Sequence, residues 1–161
     1  MHNSVMVVDD EAGIRHAFTQ SLSMEGYEVF EADNGKDAIE IAQKEQPEAV
    51  LLDMRLPDMS GIEVLKKLKS GENPPIVIMM TAYGDIELAV EAMQFGSDNF
   101  RTKPFNITEM KACIKKALEN KINRTQLESY RSAEKQKYTP QNIIGESKVI
   151  KHIGNIINKI A

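Results

Sequence analysis

The sequence contains no tryptophan, and its one cysteine is Cys113. A lone cysteine excludes a disulfide bond within the chain, which is typical of proteins of the reducing cytoplasm. No apolar run approaches the roughly 18 residues that a membrane-spanning helix needs. The first residues also lack the basic segment and apolar core of a secretory signal. We therefore expect a cytoplasmic protein that does not contact a membrane.

The charges are unevenly distributed along the chain. Residues 1–120 carry 12 Lys and Arg against 21 Asp and Glu, a net charge of −9, whereas residues 121–161 carry 8 against 3, or +5. The basic residues of the tail are few and dispersed, so the tail lacks the clustered positive charge of a nucleic-acid-binding surface. We expect an acidic folded body and a solvated basic tail, neither of which binds DNA.

Short apolar runs alternate with longer amphipathic stretches over the first 120 residues. Uninterrupted apolar runs are typical of strands buried on both faces of a parallel sheet, and apolar positions at helical spacing predict helices. The predicted strands are residues 5–8, 27–32, 49–53, 76–80 and 99–102. The predicted helices are residues 12–25, residues 35–46, and segments that begin at Ser60, after Asp85 and at Asn106. Ser60 and Glu63 have the spacing of a capping box.

Five alternating strands and helices predict an α/β fold with a parallel sheet covered on both faces. We expect a flavodoxin-like (βα)5 doubly wound sheet with strand order 2-1-3-4-5 and a C-terminal helical linker. Ligands of such sheets bind beyond the carboxyl ends of the strands. Five polar residues lie at these ends: Asp9, Asp10, Asp53, Thr81 and Lys103. Because strands 1 and 3 are neighbours in this order, the three aspartates should converge.

Converging aspartates repel one another unless a cation neutralises them. Mg²⁺ suits such a site, because it takes carboxylate, water and phosphate oxygens as ligands. Lys103 could neutralise phosphate oxygens from the other side, and Thr81 could donate a hydrogen bond to one. Asp53 is the candidate nucleophile, since carboxylates form aspartyl-phosphate intermediates.

Four motifs, in order along the chain, resemble those of a known family. They are Asp9-Asp10-Glu11, the segment LDMRLPDMSG from Leu52 to Gly61, Met80-Thr81-Ala82 and Lys103-Pro104-Phe105. Each motif alone is weakly specific, but the ordered set at predicted strand ends is strong. Over roughly residues 4–120, the sequence resembles the receiver domains of bacterial two-component response regulators.

The resemblance implies a signalling switch rather than an enzyme, with only self-phosphorylation and autodephosphorylation chemistry. It implies that Asp53 accepts a phosphoryl group from the phosphohistidine of a sensor histidine kinase, and that no organic cofactor is bound. Asp10 would bind Mg²⁺ directly, Asp9 mostly through water, and the backbone carbonyl of Arg55 would complete the site with Asp53.

The resemblance also assigns residues to the read-out of phosphorylation. Thr81 and Lys103 would contact the phosphoryl group, and Phe100 would be the switch aromatic that moves together with Thr81. The Lys103-Pro104 peptide bond matches a position that is cis in the family. One departure concerns the acidic residue that often precedes the switch aromatic, because Asn99 occupies this position and Asp98 lies one residue earlier.

The C-terminal part resembles the nitrogen-regulation (NtrC-type) activators. We divide the chain into a receiver domain (1–120), a helical linker (121–142) and the truncated start of an AAA+ ATPase domain (143–161), which contains the segment IIGES. We also expect a homodimer formed through the linker and the receiver faces, because a second helix would cover Ile114, Leu118, Ile122 and Leu127. Phosphorylation would control the assembly of an ATPase that activates sigma-54 RNA polymerase at DNA, with neither polymerase nor DNA bound by these residues.

Three alternatives compete with this interpretation. The first is a receiver of another output class, or one that stands alone. The second is an aspartate-nucleophile phosphatase of the haloacid-dehalogenase type, which uses Asp-x-Asp, whereas Arg55 lies two residues after Asp53. The third is a flavodoxin-like cofactor-binding protein. It would need a Gly-rich phosphate loop after strand 1, where acidic residues instead repel phosphate.

Overall fold

A computed structural model of the protein describes residues 3–81 and 86–137. The described elements alternate in type along the chain. The strands are β1 (Ser4–Val8), β2 (Glu28–Ala32), β3 (Ala49–Asp53), β4 (Ile76–Thr81) and β5 (Asn99–Thr102). The helices are α1 (Ala12–Ser23), α2 (Gly35–Glu45), α3 (Gly61–Lys69), α4 (Ile86–Gln94) and α5 (Ile107–Lys137). No described helix is long and apolar enough to cross a membrane.

The five strands form one parallel sheet with the order β2-β1-β3-β4-β5, which confirms the predicted flavodoxin-like topology. In register, Val8 pairs with Leu52, Asp53 with Met80, and Thr81 with Thr102. The carboxyl ends of β1, β3, β4 and β5 therefore meet at one edge of the sheet. β1 and β3 are neighbours there, as the prediction required.

Side chains from the two faces of the sheet form two cores. On one face, Met6 and Val8 pack with buried residues of α2, α3 and α4. On the other, Val5 and Val7 pack with buried residues of α1 and α5. β1, β3 and β4 are buried along their whole length, because successive side chains of a strand point to opposite faces and helices cover both.

Helix ends follow the local sequence. Ser60 and Glu63 form the predicted capping box at the start of α3. The first helix ends two residues earlier than predicted, at Ser23. The amide of Glu25 donates to the carbonyl of Leu22, and the amide of Gly26 donates to the carbonyl of Ser23. Both bonds join residues three apart, so the helix ends in a tighter 3₁₀ turn. Gly26 then adopts φ +85°, a left-handed conformation that favours glycine.

The chain divides between Glu119 and Asn120 into two units. The first contains the sheet and its helices. In the second, the structure describes residues 120–137, all within α5. The predicted helical linker, residues 121–142, is helical as far as Lys137, and its residues 138–142 lie outside the described residues. The predicted start of a second domain, residues 143–161, and Ala82 of the third motif lie outside the described residues.

Candidate functional site

The carboxyl edge of the sheet brings three aspartates together. Asp9 and Asp10 follow β1, and Asp53 is the last residue of β3. One carboxylate oxygen from each lies within 4.8 Å of the others. Asp9 and Asp53 are buried, whereas Asp10 is exposed. Three oxygen ligands at this separation, open to solvent on one side, form a donor set that suits a hard divalent cation.

Lys103 is the cation of this acidic pocket, which we define as Asp9, Asp10, Asp53 and Lys103. Its Nζ lies 2.6 Å from Asp53 Oδ2, 2.8 Å from Asp9 Oδ2 and 3.3 Å from the exposed Glu11 Oε1. Burial of the ammonium lowers the pKa of Lys103, but its contacts with Asp53 and Asp9 outweigh burial and hold that pKa above its ordinary value. The side chain is therefore charged at neutral pH.

Asp9 carries the electrostatic strain of the pocket. Burial raises its pKa, and the charge of Asp53 adds to the rise, while Lys103 and the backbone amide of Glu11 oppose it. Asp9 Oδ1 accepts a hydrogen bond from the Glu11 amide at 2.9 Å. Asp9 Oδ2 forms its ion pair with Lys103, but it is buried and accepts no hydrogen bond within the described part of the chain. A buried carboxylate oxygen that shares its ammonium partner with Asp53, in a cluster of three carboxylates, fits a pocket that takes a metal.

The strand ends also fix the lysine and the threonine. Thr81 ends β4 and is 1% exposed. The backbone amide of Lys103 donates to the carbonyl of Thr81 at 2.7 Å, which extends the pairing of β4 and β5 by one residue. The Lys103-Pro104 peptide bond is cis, as the resemblance implied. Thr81 thus lies at the strand end adjacent to the one that bears Asp53.

Arg15 supports the first two aspartates, and sequence reasoning missed it. Its guanidinium donates to the backbone carbonyl of Asp9 at 2.7 Å and to that of Asp10 at 3.0 Å. Arg15 lies in the first turns of α1, which has no acidic residue in its first turn. A positive charge near a helix N-terminus opposes the helix dipole. That local misfit is the signal that could have identified it.

The loop between β3 and α3 starts at the candidate nucleophile. Asp53 Oδ1 accepts the Arg55 amide at 3.0 Å, and the Gly61 amide donates to the Met54 carbonyl at 2.9 Å. A Cβ on Gly61 would lie against the carbonyl oxygen of Asp53 and 2.9 Å from the Met54 Cα. Only glycine fits this close approach of two backbones, so Gly61 keeps Asp53 in place.

Phe100, the predicted switch aromatic, lies outside the acidic pocket. It is on β5, pairs in register with Met79, and is 41% exposed. The side-chain amide of Asn99, which occupies the position where relatives are often acidic, donates to Cys113 Sγ at 3.2 Å. Asp98 does not replace that acid, because its carboxylate binds Lys69 Nζ and the Val77 amide.

The pocket defines a sheet-edge site with converging carboxylates and one lysine, and comparison with known proteins agrees with it. Residues 5–115 match the model of the response regulator receiver domain. The chain therefore belongs to the response regulator receiver family, and it carries a phosphorylation-dependent switch of two-component systems. Response regulators receive their phosphoryl group from sensor histidine kinases.

Among curated relatives, sporulation initiation phosphotransferase F of Bacillus subtilis is 42% identical over 123 residues, which cover 76% of this chain and 99% of that protein. Regulatory protein AtoC of Escherichia coli is 37% identical over 117 residues, covering 73% of this chain but 25% of AtoC. The chain thus spans nearly all of one relative and a quarter of the other.

Among solved structures, NtrX from Brucella abortus is 26% identical, with a TM-score of 0.76, and the match covers 99% of this chain and 35% of NtrX. NtrX in complex with ADP is 27% identical, with a TM-score of 0.69, and covers 99% of this chain and 34% of that one.

Proposed function

We propose that Asp53 accepts the phosphoryl group in a Mg²⁺-dependent reaction. The observation that carries the proposal is the approach of Lys103 Nζ to 2.6 Å from Asp53 Oδ2, with the oxygens of Asp9 and Asp10 within 4.8 Å of that carboxylate. In the family, a phosphoryl group is transferred from a kinase histidine. Of the three aspartates in the pocket, Asp53 is the one that ends a strand. Its strand neighbours β4, which ends at Thr81, and its carboxylate contacts Lys103.

The residues that would hold Mg²⁺ are Asp9, Asp10, Asp53 and the backbone carbonyl of Arg55. The burial of Asp9, whose Oδ2 shares the Lys103 ammonium with Asp53, and the excess of carboxylates over ammonium support this choice. Bound Mg²⁺ would neutralise the carboxylates and the phosphoryl oxygens, which is the main requirement of phosphoryl transfer. The two strand ends and the loop that follows β3 position the residues that would hold the ion.

Asp53 then acts as the nucleophile. Its carboxylate oxygen attacks phosphorus, and an O–P bond forms as the P–N bond to the kinase histidine breaks. The electron pair of the P–N bond stays on the histidine nitrogen, which takes a proton from solvent water. The Arg55 amide on Oδ1 and Lys103 on Oδ2 orient the carboxylate before the attack. Lys103 afterwards pairs with a phosphoryl oxygen, and the buried Thr81 hydroxyl binds another.

The switch would use the same edge of the sheet. Thr81 at the end of β4 and the half-exposed Phe100 on β5 would move together on phosphorylation. Phosphorylation thereby shifts the population of two states of the face formed by α4, β5 and α5. Exposed Val90 and Met93 on α4 give this face an apolar character that a partner can recognise.

The test of the phosphoacceptor uses intact mass after incubation with acetyl phosphate and Mg²⁺. The wild-type chain gains one phosphoryl group, and Asp53→Asn gains none. Asp33→Asn is the matched control, because Asp33 follows β2 at the same edge of the sheet but is exposed and outside the pocket. An unchanged wild-type mass would contradict the proposal, as would phosphorylation of Asp53→Asn.

We also propose an output of the NtrC type, with residues 1–120 as the receiver, 121–142 as the linker and 143–161 as the start of an AAA+ domain. The match to NtrX, which runs over 99% of this chain and includes an ADP-bound form, supports the proposal. Ile122, Leu127 and Tyr130 are 50%, 59% and 74% exposed, and a second linker helix would cover them. Phosphorylation then changes the dimer and controls assembly of the sigma-54-activating ATPase.

Sedimentation with and without beryllium fluoride, a phosphoryl mimic, tests this output. We expect a dimer whose stability changes with the mimic, and Leu127→Asp should weaken it. Monomers in both states contradict the proposal. The alternative is a stand-alone receiver or one of another output class, which is favoured by the coverage of 99% of the sporulation phosphotransferase. It predicts a monomer that still becomes phosphorylated.

A further inference from the structure

The β3–α3 loop, residues 54–60, would carry one ligand of the proposed Mg²⁺ site, the Arg55 carbonyl, which no side-chain substitution can remove. The carbonyl of Arg55 belongs to the backbone, so its place at the metal depends on the conformation of the loop. At its base, the Arg55 amide bonds to Asp53, and Arg55 pairs with Ser60 as an isolated antiparallel bridge. These contacts fix the two ends of the loop but leave its tip, Pro57 to Met59, to be held by something else.

Asp58 holds that tip. Its Oδ1 accepts the Gly35 amide at 2.7 Å, and its Oδ2 accepts the Lys36 amide at 2.9 Å. These amides belong to the first turn of α2, 23 and 22 residues earlier in the chain. The hydrogen bond from Gly35 is the main cause that lowers the pKa of Asp58, with Lys36 adding to it, so the carboxylate is ionised at neutral pH.

Packing supports the same contact. Met59 lies directly over Gly35, where an added Cβ would be 2.8 Å from the Met59 sulfur and 2.9 Å from a methyl group of Val64. The loop tip therefore rests on the start of α2 through one pair of hydrogen bonds and one apolar contact. The apolar contact depends on Gly35, because a Cβ there would displace the Met59 side chain.

Asp58 does more than cap α2, because α2 has a cap of its own. The side chain of Asn34 accepts the Asp37 amide at 2.9 Å, and Asn34 is the N-cap residue. Asp58 binds two other amides of the same helix end from a distant part of the sequence. Removing Asn34 would weaken the helix end and leave the loop contact, whereas removing Asp58 would free the loop and leave the cap.

We infer that Asp58 is a positioning residue of the metal site: by binding the amides of Gly35 and Lys36, it holds the β3–α3 loop so that the Arg55 carbonyl faces the cation. The inference rests on the proposed function, since it concerns the same Mg²⁺ site. Groups that orient metal ligands from outside the ligand shell change metal affinity by about 10- to 100-fold when they are lost. Here the ligand is one of four, so we expect a loss of about tenfold at the low end of that range.

The test is a calorimetric titration of the full chain with MgCl₂, together with unfolding in urea without Mg²⁺. Asp58→Ala should bind Mg²⁺ about tenfold more weakly, and Asp58→Asn, which keeps one acceptor oxygen, should lie between it and the wild type. Asn34→Ala is the matched control, expected to lower the urea midpoint while its Mg²⁺ affinity equals that of the wild type. Acetyl phosphate labelling of Asp58→Ala should recover at saturating Mg²⁺, because Asp53 and Lys103 are intact.

Two results would overturn the inference while the proposed function stands. One is a wild-type affinity for Mg²⁺ in Asp58→Ala and Asp58→Asn. The other is an equal loss of affinity in Asp58→Ala and Asn34→Ala, which would trace the effect to the stability of α2. A wild-type chain that binds no Mg²⁺ overturns the proposed metal site itself, and the inference with it.

Discussion

Two lysine–aspartate pairs with the same separation lie at opposite edges of the sheet. At the carboxyl edge, Lys103 Nζ is 2.6 Å from Asp53 Oδ2. At the amino edge, Lys69 Nζ is 2.6 Å from Asp98 Oδ2. The two pairs differ in what surrounds them, and this difference distinguishes a site that binds something from a contact that holds the fold.

The amino-edge pair, Lys69 and Asp98, is balanced. Lys69 also donates to the Pro75 carbonyl at 2.7 Å, and the same oxygen of Asp98 accepts the Val77 amide at 2.8 Å. One cation meets one anion, and the remaining contacts are to the backbone. The pair ties the end of α3 to the starts of β4 and β5.

The acidic pocket is unbalanced. Its one ammonium contacts Asp53, Asp9 and Glu11, and Asp10 lies close by. Asp9 is fully buried, shares the ammonium of Lys103 with Asp53 and has a raised pKa. A fold does not need such an excess of buried negative charge. The excess supports the proposal that the pocket takes a divalent cation and a phosphoryl group.

The largest effect is expected from removing the lysine of the pocket. Lys103→Met leaves buried carboxylates without their cation, which should lower the free energy of unfolding by about 3 kcal/mol in the absence of Mg²⁺. Phosphorylation by acetyl phosphate should fall at least about 100-fold, as when a group that stabilises transition-state charge is lost. Urea unfolding in EDTA and intact-mass time courses measure both. If Lys103→Met is as stable and as reactive as the wild type, the acidic pocket has no excess of negative charge that depends on Lys103.

Adding Mg²⁺ should sharpen the contrast. A ligand at 100 times its Kd stabilises the folded state by about 2.7 kcal/mol, and we expect a rise in Tm of the wild type under this condition. Asp9→Asn should gain less, because it removes one carboxylate of the set. Differential scanning calorimetry with MgCl₂ and in Mg²⁺-free buffer measures both rises in Tm. If Mg²⁺ raises the Tm of Asp9→Asn as much as that of the wild type, Asp9 is not a ligand of the metal.

The backbone approach under Asp53 gives a smaller effect. Gly61→Ala forces a methyl group against the Asp53 carbonyl, which should cost about 1–3 kcal/mol of stability, as overpacking does, and should slow phosphorylation by displacing Asp53. Gly71→Ala is the control, since a Cβ there has no neighbour within 4 Å among the described residues. If Gly61→Ala and Gly71→Ala have the same urea midpoint, the backbone of Gly61 does not lie as close to the Asp53 carbonyl as described.

The smallest effect is expected at the amino edge. Lys69→Met removes a partly exposed pair, whose contribution is at most about 1 kcal/mol, and it should leave phosphorylation unchanged. Asp98 keeps the Val77 amide as a partner. The same mass time course and urea titration that are used for Lys103→Met measure it. A large loss of phosphorylation in Lys69→Met would erase the distinction between the two edges.

The sequence predicts the fold because the apolar runs and the polar residues that follow them indicate the same parallel sheet. Uninterrupted apolar runs are long enough to form β1, β3 and β4, and the polar residues that follow them fall at one edge for any parallel sheet of this order. The aspartates, Thr81 and Lys103 could therefore be placed before the structure. Their separations could not, since they depend on the register of three strand pairs.

Other parts of the site depend on contacts between residues far apart in the chain. The partners of Asp58 are 22 and 23 residues away, and Asp98 finds Lys69 across 29 residues. No local periodicity encodes such pairs. Gly61 has an ordinary φ, so its need for glycine appears only when the Asp53 backbone is seen beside it.

The most direct test of the central claim is to identify the phosphorylated residue chemically. After reaction with acetyl phosphate, borohydride reduces an aspartyl phosphate to homoserine, and tryptic cleavage after Lys44 and Arg55 isolates residues 45–55, in which Asp53 is the only aspartate. We predict homoserine at position 53, formed only when Mg²⁺ is present and reduced in Lys103→Met. Homoserine at Asp9, Asp10 or Asp58, or labelling of Asp53 that persists in EDTA, would contradict the account.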